Sequence, residues 1–215
     1  MSEPTLLENL MGPSLLFQKT KKTTATALKN KDLIALYFSA SWCPPCKQFS
    51  PMLAGFYKAC AKDAKLEVVY VSSDKTIPSF EEYYATMPWL AIPCEQGTAA
   101  IKNGLAQKLQ ISGIPTLIIL NGDGKFVTDA ARDEVVAAGN DLAKRKALIE
   151  SWKKIEAVPL DEAKFSGGGP PHILMQILMP LLKNPIFLVG IWYFVKKFFK
   201  SLEQLADEDE GGEEL

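Results

Sequence analysis

The stretch Ala40-Ser41-Trp42-Cys43-Pro44-Pro45-Cys46-Lys47-Gln48-Phe49 decides how this chain is read. Two cysteines stand three residues apart behind a tryptophan, with two prolines between them. Such a pair can be half of a metal knuckle, a structural staple or a working dithiol. The flanks narrow the choice. Upstream, Leu33-Ile34-Ala35-Leu36-Tyr37-Phe38 is a short apolar run with aromatics, which reads as a buried strand. Downstream, Cys46, Phe49, Leu53, Phe56 and Cys60 recur at spacings of 3, 4, 3 and 4, one face of a helix. The pair therefore sits at a strand-to-helix turn. Pro44 and Pro45 suit a first helical turn, where amides have no intrahelical partner. The two sulfurs are then unequal. Cys43 precedes the helix, where free amides and the helix dipole favour a thiolate, and is expected to be the exposed nucleophile. Cys46 heads the apolar stripe and is expected to be the shielded thiol that resolves a mixed disulfide. Cys60 continues the stripe as a core residue.

The whole chain supports redox work over the other two chemistries. It has 215 residues, 47% of them hydrophobic, enough for one packed domain and an appendage. A net charge of −1 supplies no basic surface for nucleic acid. Four cysteines, Cys43, Cys46, Cys60 and Cys94, are too few for a disulfide-stapled secreted scaffold of this length. The acidic start Met-Ser-Glu-Pro-Thr-Leu-Leu-Glu-Asn lacks the basic flank and apolar run of a signal peptide, so a reducing, intracellular setting is expected. Structural zinc needs four ligands, but only one close cysteine pair exists and the single histidine, His172, lies far from it. That shortage also removes Cys-His nucleophilic catalysis. No metal and no bound cofactor are expected.

Beyond the motif, strand and helix alternate. Leu66 to Ser72 reads as a strand. Ser79-Phe80-Glu81-Glu82 is a capping box opening a helix through Met87. Ala99 to Leu109 reads as a helix, and Ile114 to Leu120 as a strand with a proline near its start. Asn121-Gly122-Asp123-Gly124 is a tight hairpin turn into Lys125-Phe126-Val127. Asn140 is expected to cap a last helix whose Leu142, Ile149 and Trp152 share a face. Cys94 alternates with Leu90 and Ile92, so core packing is expected of it. Lys19 to Lys22, with Thr23 and Thr24, reads as a solvated loop. The alternation specifies an α/β domain with a central mixed sheet flanked by helices.

The Cys-x-x-Cys at a strand-to-helix turn, followed much later by Ile114-Pro115-Thr116, resembles the thioredoxin fold. More closely, Tyr37-Phe38-Ser39-Ala40-Ser41-Trp42-Cys43-Pro44-Pro45-Cys46, the Phe56-Tyr57-Lys58 downstream, Tyr83 through Pro93 and Ile114 through Ile118 resemble tryparedoxin. The likeness covers about residues 15 to 155. Nucleoredoxins share the Trp-Cys-Pro-Pro-Cys core and the Met87-Pro88-Trp89-Leu90-Ala91 segment, but are usually longer. The resemblance implies a cis Ile114–Pro115 bond beside the dithiol. Tyr37 stands where ordinary thioredoxins carry a buried Asp, as in tryparedoxins, and Asp74 matches an acidic residue near their site. Ser73 and Cys94 depart from the family's common Trp and Phe. Arg132 matches an arginine that binds the anionic end of the reductant, against the alternative of a solvated loop charge. Trp42 and Pro115 would form an apolar rim for an incoming chain. The implied reaction is disulfide exchange: the dithiol trypanothione as reductant, and 2-Cys peroxiredoxins, glutathione-peroxidase-type peroxidases and other protein disulfides as acceptors.

After Ala157 the composition changes. Residues 1–157 read as the thioredoxin-like domain and 158–172, with Ser166-Gly167-Gly168-Gly169-Pro170-Pro171, as a linker. Residues 173–195 are almost entirely apolar, and 196–215 are basic and then acidic. As a helix, 173–195 would cover ~34 Å, enough for a bilayer core. Trp192 and Tyr193 with the following lysines suit an interface. Against this, Lys183 in the middle costs ~2.5–3.5 kcal/mol on insertion scales, and Pro185 kinks the helix. The alternative is a pair of short helices lying in the interface. A C-terminal transmembrane helix is expected, tail-anchoring a cytosol-facing domain, in the mitochondrial outer membrane in preference to the endoplasmic reticulum. Two functions follow: a tail-anchored dithiol oxidoreductase, or a membrane adaptor that binds proteins without turnover. The intact Cys43/Cys46 pair favours the first, because a binding module has no chemical need for two thiols.

Overall fold

The computed structural model describes residues 3–95 and 97–166. In chain order the elements are α1 (Leu6–Met11), β1 (Ser14–Phe17), β2 (Thr20–Thr23), α2 (Thr24–Ala27), β3 (Leu33–Ser39), α3 (Pro44–Ala64) and β4 (Leu66–Ser72). They continue as α4 (Ile77–Tyr84), β5 (Leu90–Ala91), α5 (Thr98–Lys108), β6 (Thr116–Asn121), β7 (Phe126–Thr128), α6 (Ala131–Ala138) and α7 (Leu142–Lys154). The strands form one mixed sheet in the order β2-β1-β5-β4-β3-β6-β7. β3 runs parallel to β4 and antiparallel to β6, which places the end of β3, at Ser39, beside the start of β6, at Thr116.

Every residue of β3 and β4 is buried, because both faces of the sheet are covered. Alternation divides the core. Leu33, Ala35 and Tyr37 pack with Phe49, Leu53 and Phe56 of α3, Phe80 and Tyr84 of α4, and Trp152 of α7. Ile34, Leu36 and Phe38 pack on the other side with Leu7 and Leu10 of α1 and Leu105 of α5. α3 buries the expected stripe of Cys46, Phe49, Leu53, Phe56 and Cys60, together with Ser50, and ends where Lys65 turns left-handed at φ 51°.

Several boundaries differ from the sequence reading, each for a local reason. α4 is capped by Thr76, whose Oγ1 accepts from the Ser79 amide at 3.3 Å, so Ser79 lies inside the helix and the helix ends at Tyr84. α7 is capped by Asp141, whose carboxylate accepts the Ala143 and Lys144 amides at 2.9 and 3.1 Å. Asn140 instead accepts from the Arg145 guanidinium at 2.8 Å. Leu142 is 49% exposed, and the buried face of α7 is Arg145, Ile149 and Trp152. β6 begins at Thr116, just after the cis Ile114–Pro115 bond. Lys19 lies in a turn as expected, but Thr20–Thr23 is no loop: it pairs with Ser14–Phe17 in a hairpin and is its wholly exposed outer strand. Lysines on an edge strand discourage pairing with other chains. The Asn121–Gly124 turn forms as expected, with Gly124 at φ 85° and Asn121 Oδ1 accepting from the Asp123 and Lys125 amides.

Beyond Ala157 the chain stays on the domain. Val158 bridges Phe126 with hydrogen bonds of 2.8 and 2.9 Å, Leu160 is buried, and Phe165 meets the Phe126 ring at 4.9 Å. Ser166 donates twice to the Asp129 carboxylate. Residues 158–166, read as the first part of a linker, therefore seal the β7 edge. Among the described residues no helix is long and apolar enough to cross a membrane. The segments 173–195 and 196–215 lie outside the described residues.

Candidate active site

The site is built where β3 stops. A strand that must turn into a helix leaves the first helical amides without carbonyl partners. Here two of those positions are Pro44 and Pro45, which have no amide to satisfy. The next amide, that of Cys46, donates to Cys43 Sγ at 3.3 Å, so a sulfur occupies the capping position. Cys43 and Cys46 are joined in a disulfide, with Cα atoms 5.2 Å apart. Their sulfurs pack with Ala40 and Ile114.

Cys43 was expected to be exposed, yet it is 4% exposed against 0% for Cys46. In the disulfide the pair is nearly flush with its surroundings, since the turn at Ala40 and the loop at Ile114 close over it. The asymmetry lies in what each residue touches. Cys43 Sγ receives the helix amide and stands 3.8 Å from the Ile114 carbonyl oxygen. The Cys46 carbonyl accepts from the Tyr37 hydroxyl at 3.4 Å beneath. A thiolate at Cys43 would keep the amide and gain the favourable end of the helix dipole.

The other residues singled out from the sequence fall around this pair at different depths. Trp42 is 59% exposed, its indole Nε1 donating to the Ser73 carbonyl at 3.4 Å, so it is a surface residue and not core. Pro115 follows the cis bond, and its carbonyl accepts from Arg132 Nη1 at 3.5 Å. Arg132 lies in α6, not in a loop, and pairs with Asp133 at 3.0 Å. Asp74 is buried. One of its oxygens accepts from the Ser41 amide and hydroxyl at 2.9 and 2.8 Å, the other from Tyr70 and Ser72 at 3.0 and 2.9 Å. Asp74 thus ties the turn before Trp42 to the end of β4. Tyr37 is fully buried. Its hydroxyl lies 2.8 Å from Ser50 Oγ, and burial holds its pKa above the usual phenol value.

The remaining cysteines stand apart. Cys60 is buried on α3, and burial raises its thiol pKa, with Arg145 and Lys146 opposing. Cys94 lies just past β5, half-buried against the core, with Lys102 Nζ at 3.7 Å from its sulfur. Among the described residues no group of three His, Cys, Asp or Glu side chains could hold a metal ion.

The sequence reading did not single out Ser41, Ser50, Ser72 and Tyr83. Ser50 carried a usable signal: a hydroxyl one helical turn after Cys46, in an otherwise apolar stripe. Ser41 and Tyr83 offered none, since their partners lie in other elements, while Ser72 has its partners two residues away on either side, at Tyr70 and Asp74.

The Thioredoxin-like family matches residues 30–126, which spans the strand, the dithiol and the cis-proline strand. Tryparedoxin from Trypanosoma brucei brucei is 39% identical over 132 residues, 61% of this chain and 90% of that protein. Probable nucleoredoxin 1 from Arabidopsis thaliana is 45% identical over 144 residues, 66% of this chain, but the match spans only 24% of that longer protein. The solved structure of a tryparedoxin II complexed with glutathionylspermidine is 36% identical, with a TM-score of 0.54, covering 58% of this chain and 85% of that one. With a relative matched over nine-tenths of its length, and with the dithiol and cis-proline in place, the chain belongs to the thioredoxin-like family, as a thioredoxin-fold oxidoreductase domain related to tryparedoxin and nucleoredoxin.

Proposed function

We propose that this protein is a dithiol–disulfide oxidoreductase of the tryparedoxin type, reduced by trypanothione and reducing peroxiredoxin-type and glutathione-peroxidase-type peroxidases and other protein disulfides. The observation that carries the reading is the Cys43–Cys46 disulfide at the head of α3, with Cys43 Sγ held by the Cys46 amide. In the reductive half, one thiolate of the dithiol reductant attacks Cys43 Sγ and releases the Cys46 thiolate, which takes a proton. The reductant's second thiolate then displaces Cys43 and leaves as its own disulfide. Two electrons have moved, and the protein is a dithiol. In the oxidative half, the Cys43 thiolate attacks a sulfur of the acceptor disulfide and expels one acceptor thiolate. Cys46 loses its proton, attacks Cys43 Sγ and expels the other. Trp42, exposed beside Cys43, supplies an apolar contact for an incoming chain, and Pro115 with Arg132 forms the opposite rim. The tryparedoxin II complex with glutathionylspermidine supports a polyamine–glutathione conjugate as the reductant.

The test is reduction of insulin disulfides by the protein with trypanothione and its reductase. Turnover that survives Cys43→Ser refutes the redox reading. Turnover that requires Cys43 but is supported by a thioredoxin system and not by trypanothione favours the nucleoredoxin-like alternative, to which the 45% identity points. A thioredoxin-like adaptor would bind partners and show no Cys43-dependent turnover.

Residues 173–195 extend the same proposal to location: a tail anchor, with the dithiol domain facing the cytosol and the mitochondrial outer membrane favoured. Its support is the length and apolarity of that segment. Full release of the chain from membranes by carbonate, or protection of the domain from protease in intact organelles, counts against it.

A further inference from the structure

Beneath the dithiol runs a line of hydroxyls that the reaction as described does not use. Tyr83, half-buried on α4, lies with its hydroxyl 2.6 Å from Ser50 Oγ. Ser50 Oγ lies 2.8 Å from the Tyr37 hydroxyl, which donates to the Cys46 carbonyl at 3.4 Å. At the outer end, Tyr83 also meets Ser39 Oγ at 3.4 Å. Read from the surface inward, Tyr83 donates to Ser50, Ser50 to Tyr37 and Tyr37 to Cys46. Each hydroxyl gives one proton and accepts one, so the chain is satisfied only when all three oxygens are present. It joins α4, α3 and β3 at a single point.

The first turns of α3 have reason to need such help. Pro44 and Pro45 contribute no amides, and Pro51, inside the same helix, withholds the amide that the Lys47 carbonyl would accept. The one bond between the two active cysteines besides the disulfide is that from the Cys46 amide to Cys43 Sγ. When Cys43 is tied to a partner's sulfur it can no longer be a thiolate, and that bond loses its charge assistance. At that moment Cys46 must be aimed at Cys43 by something else.

We propose that Ser50 and Tyr83 are positioning residues for the resolving step: through Tyr37 their hydroxyl chain holds Cys46 so that its sulfur meets Cys43 Sγ in the mixed disulfide. This rests on the oxidoreductase reading above and adds to it a division of labour. Cys43 is served by the helix amide, and Cys46 by the hydroxyl chain. Tyr37 is suited to the inner end, because burial keeps its proton in place well into the alkaline range. The ring of Tyr83 packs edge-on against Tyr70 at 6.0 Å and stays in place without its oxygen.

A two-phase thiol titration separates the steps. Reduced protein in a Cys94→Ser background is mixed with one equivalent of dithiobis(nitrobenzoate). Attack by the Cys43 thiolate on the reagent's disulfide releases one thionitrobenzoate anion and forms the mixed disulfide. Attack by Cys46, its proton passing to the buffer, reforms the Cys43–Cys46 disulfide and releases the second anion. Tyr83→Phe and Ser50→Ala are expected to slow the second release about threefold to tenfold, the value of one or two hydrogen bonds, and to leave the first within about twofold. Ser50→Thr, which keeps the hydroxyl, restores the second phase. An unchanged second phase overturns the proposal, as does parallel slowing of both, which marks a purely structural role. Should Ser50→Ala fail to fold, Tyr83→Phe, which removes one oxygen and keeps the ring, decides. If the unsubstituted protein releases a single anion and no disulfide reforms, the oxidoreductase reading itself has failed, and this inference falls with it.

Discussion

Strand β4 carries a buried carboxylate at each end: Glu67 near its start and Asp74 just beyond its finish, each 7% exposed. Glu67, at the end away from the dithiol, pairs with Lys31 at 2.8 Å and accepts from the Tyr57 hydroxyl at 2.8 Å. Asp74, at the dithiol end, takes part in no ion pair among the described residues. It accepts four hydrogen bonds, from the Ser41 amide and hydroxyl, Tyr70 and Ser72. A buried charge must be compensated, and the two ends do so differently. A lysine partner is long-stemmed and tolerates motion. Four donors fix an oxygen pair in place, and two of them, the Ser41 amide and hydroxyl, belong to the turn that carries Trp42 and Cys43. The end of the sheet that only has to be stable uses a cation, while the end that has to hold a geometry uses hydroxyls.

Both ends share a tyrosine donor, and this yields the largest expected effect. Burial foremost, reinforced by the neighbouring carboxylate, raises the pKa of Tyr57 beside Glu67 and of Tyr70 beside Asp74 well above the phenol value, with Ser72 partly opposing at Tyr70. Burial likewise raises Tyr37, and pushes Tyr84 up to about 12. An unfolded tyrosine loses its proton near pH 10. These four keep theirs to higher pH, so above pH 10 the unfolded state binds fewer protons than the native one, and stability falls as pH rises. The contribution is complete below pH 10 and is lost for Tyr84 once pH passes about 12. At pH 11 each tyrosine still protonated in the fold costs about 1.4 kcal/mol, so the loss is on the order of several kcal/mol. Urea unfolding at pH 8, 10 and 11 measures it. Flat stability across that range contradicts the burial of these phenols. The comparison sharpens if Tyr57→Phe and Tyr70→Phe both flatten the slope while only Tyr70→Phe slows turnover.

The second effect belongs to Asp74 alone. Asp74→Ala leaves four donors, the Ser41 amide and hydroxyl and the hydroxyls of Tyr70 and Ser72, without this acceptor, at a cost of about 2–4 kcal/mol in unfolding experiments. It also frees the Ser41–Trp42 turn, so the rate of insulin reduction is expected to drop about tenfold or more, as positioning losses do. A variant that is destabilised yet turns over at the normal rate would break the claim that this carboxylate holds geometry.

How far these features could be read beforehand depends on their range. The Cys43–Cys46 pair, strands β3 and β4 and the buried stripe of α3 are written in local periodicity, which the folded chain obeys because each element must bury one face. The N-terminal hairpin and α1 escaped because Thr20–Thr23 is all polar and its partner is only four residues long. The helix caps slipped by one to three residues because Thr76 and Asp141 stand close to Ser79 and Asn140, all four residues that can cap a helix, and backbone geometry decides which of them does. Asp74 was noticed only through resemblance. Its four donors come from two segments, the turn at Ser41 and the end of β4, and no spacing rule links Ser41 to a carboxylate 33 residues later; the sheet alone brings them together.

The smallest effect tests the other end of the strand. Glu67→Gln keeps a side chain of nearly the same shape and an oxygen that can still accept from Tyr57, while it removes the charge opposite Lys31. The Lys31 side chain is 26% exposed, so water can replace part of what it loses. The expected cost is therefore about 1 kcal/mol, between an exposed pair and a fully buried one. The alkaline slope should also lessen, because the charge that helps keep Tyr57 protonated is gone. Turnover should not change, since nothing bonded to Glu67 touches the turn at Ser41 or the head of α3. Insulin-reduction rates of Glu67→Gln equal to those of the unsubstituted protein, set against slow Asp74→Ala, would establish that the two carboxylates divide stability from geometry. A loss of turnover in Glu67→Gln comparable to that in Asp74→Ala would mean that β4 transmits strain along its length, and the contrast between its ends would have to be abandoned.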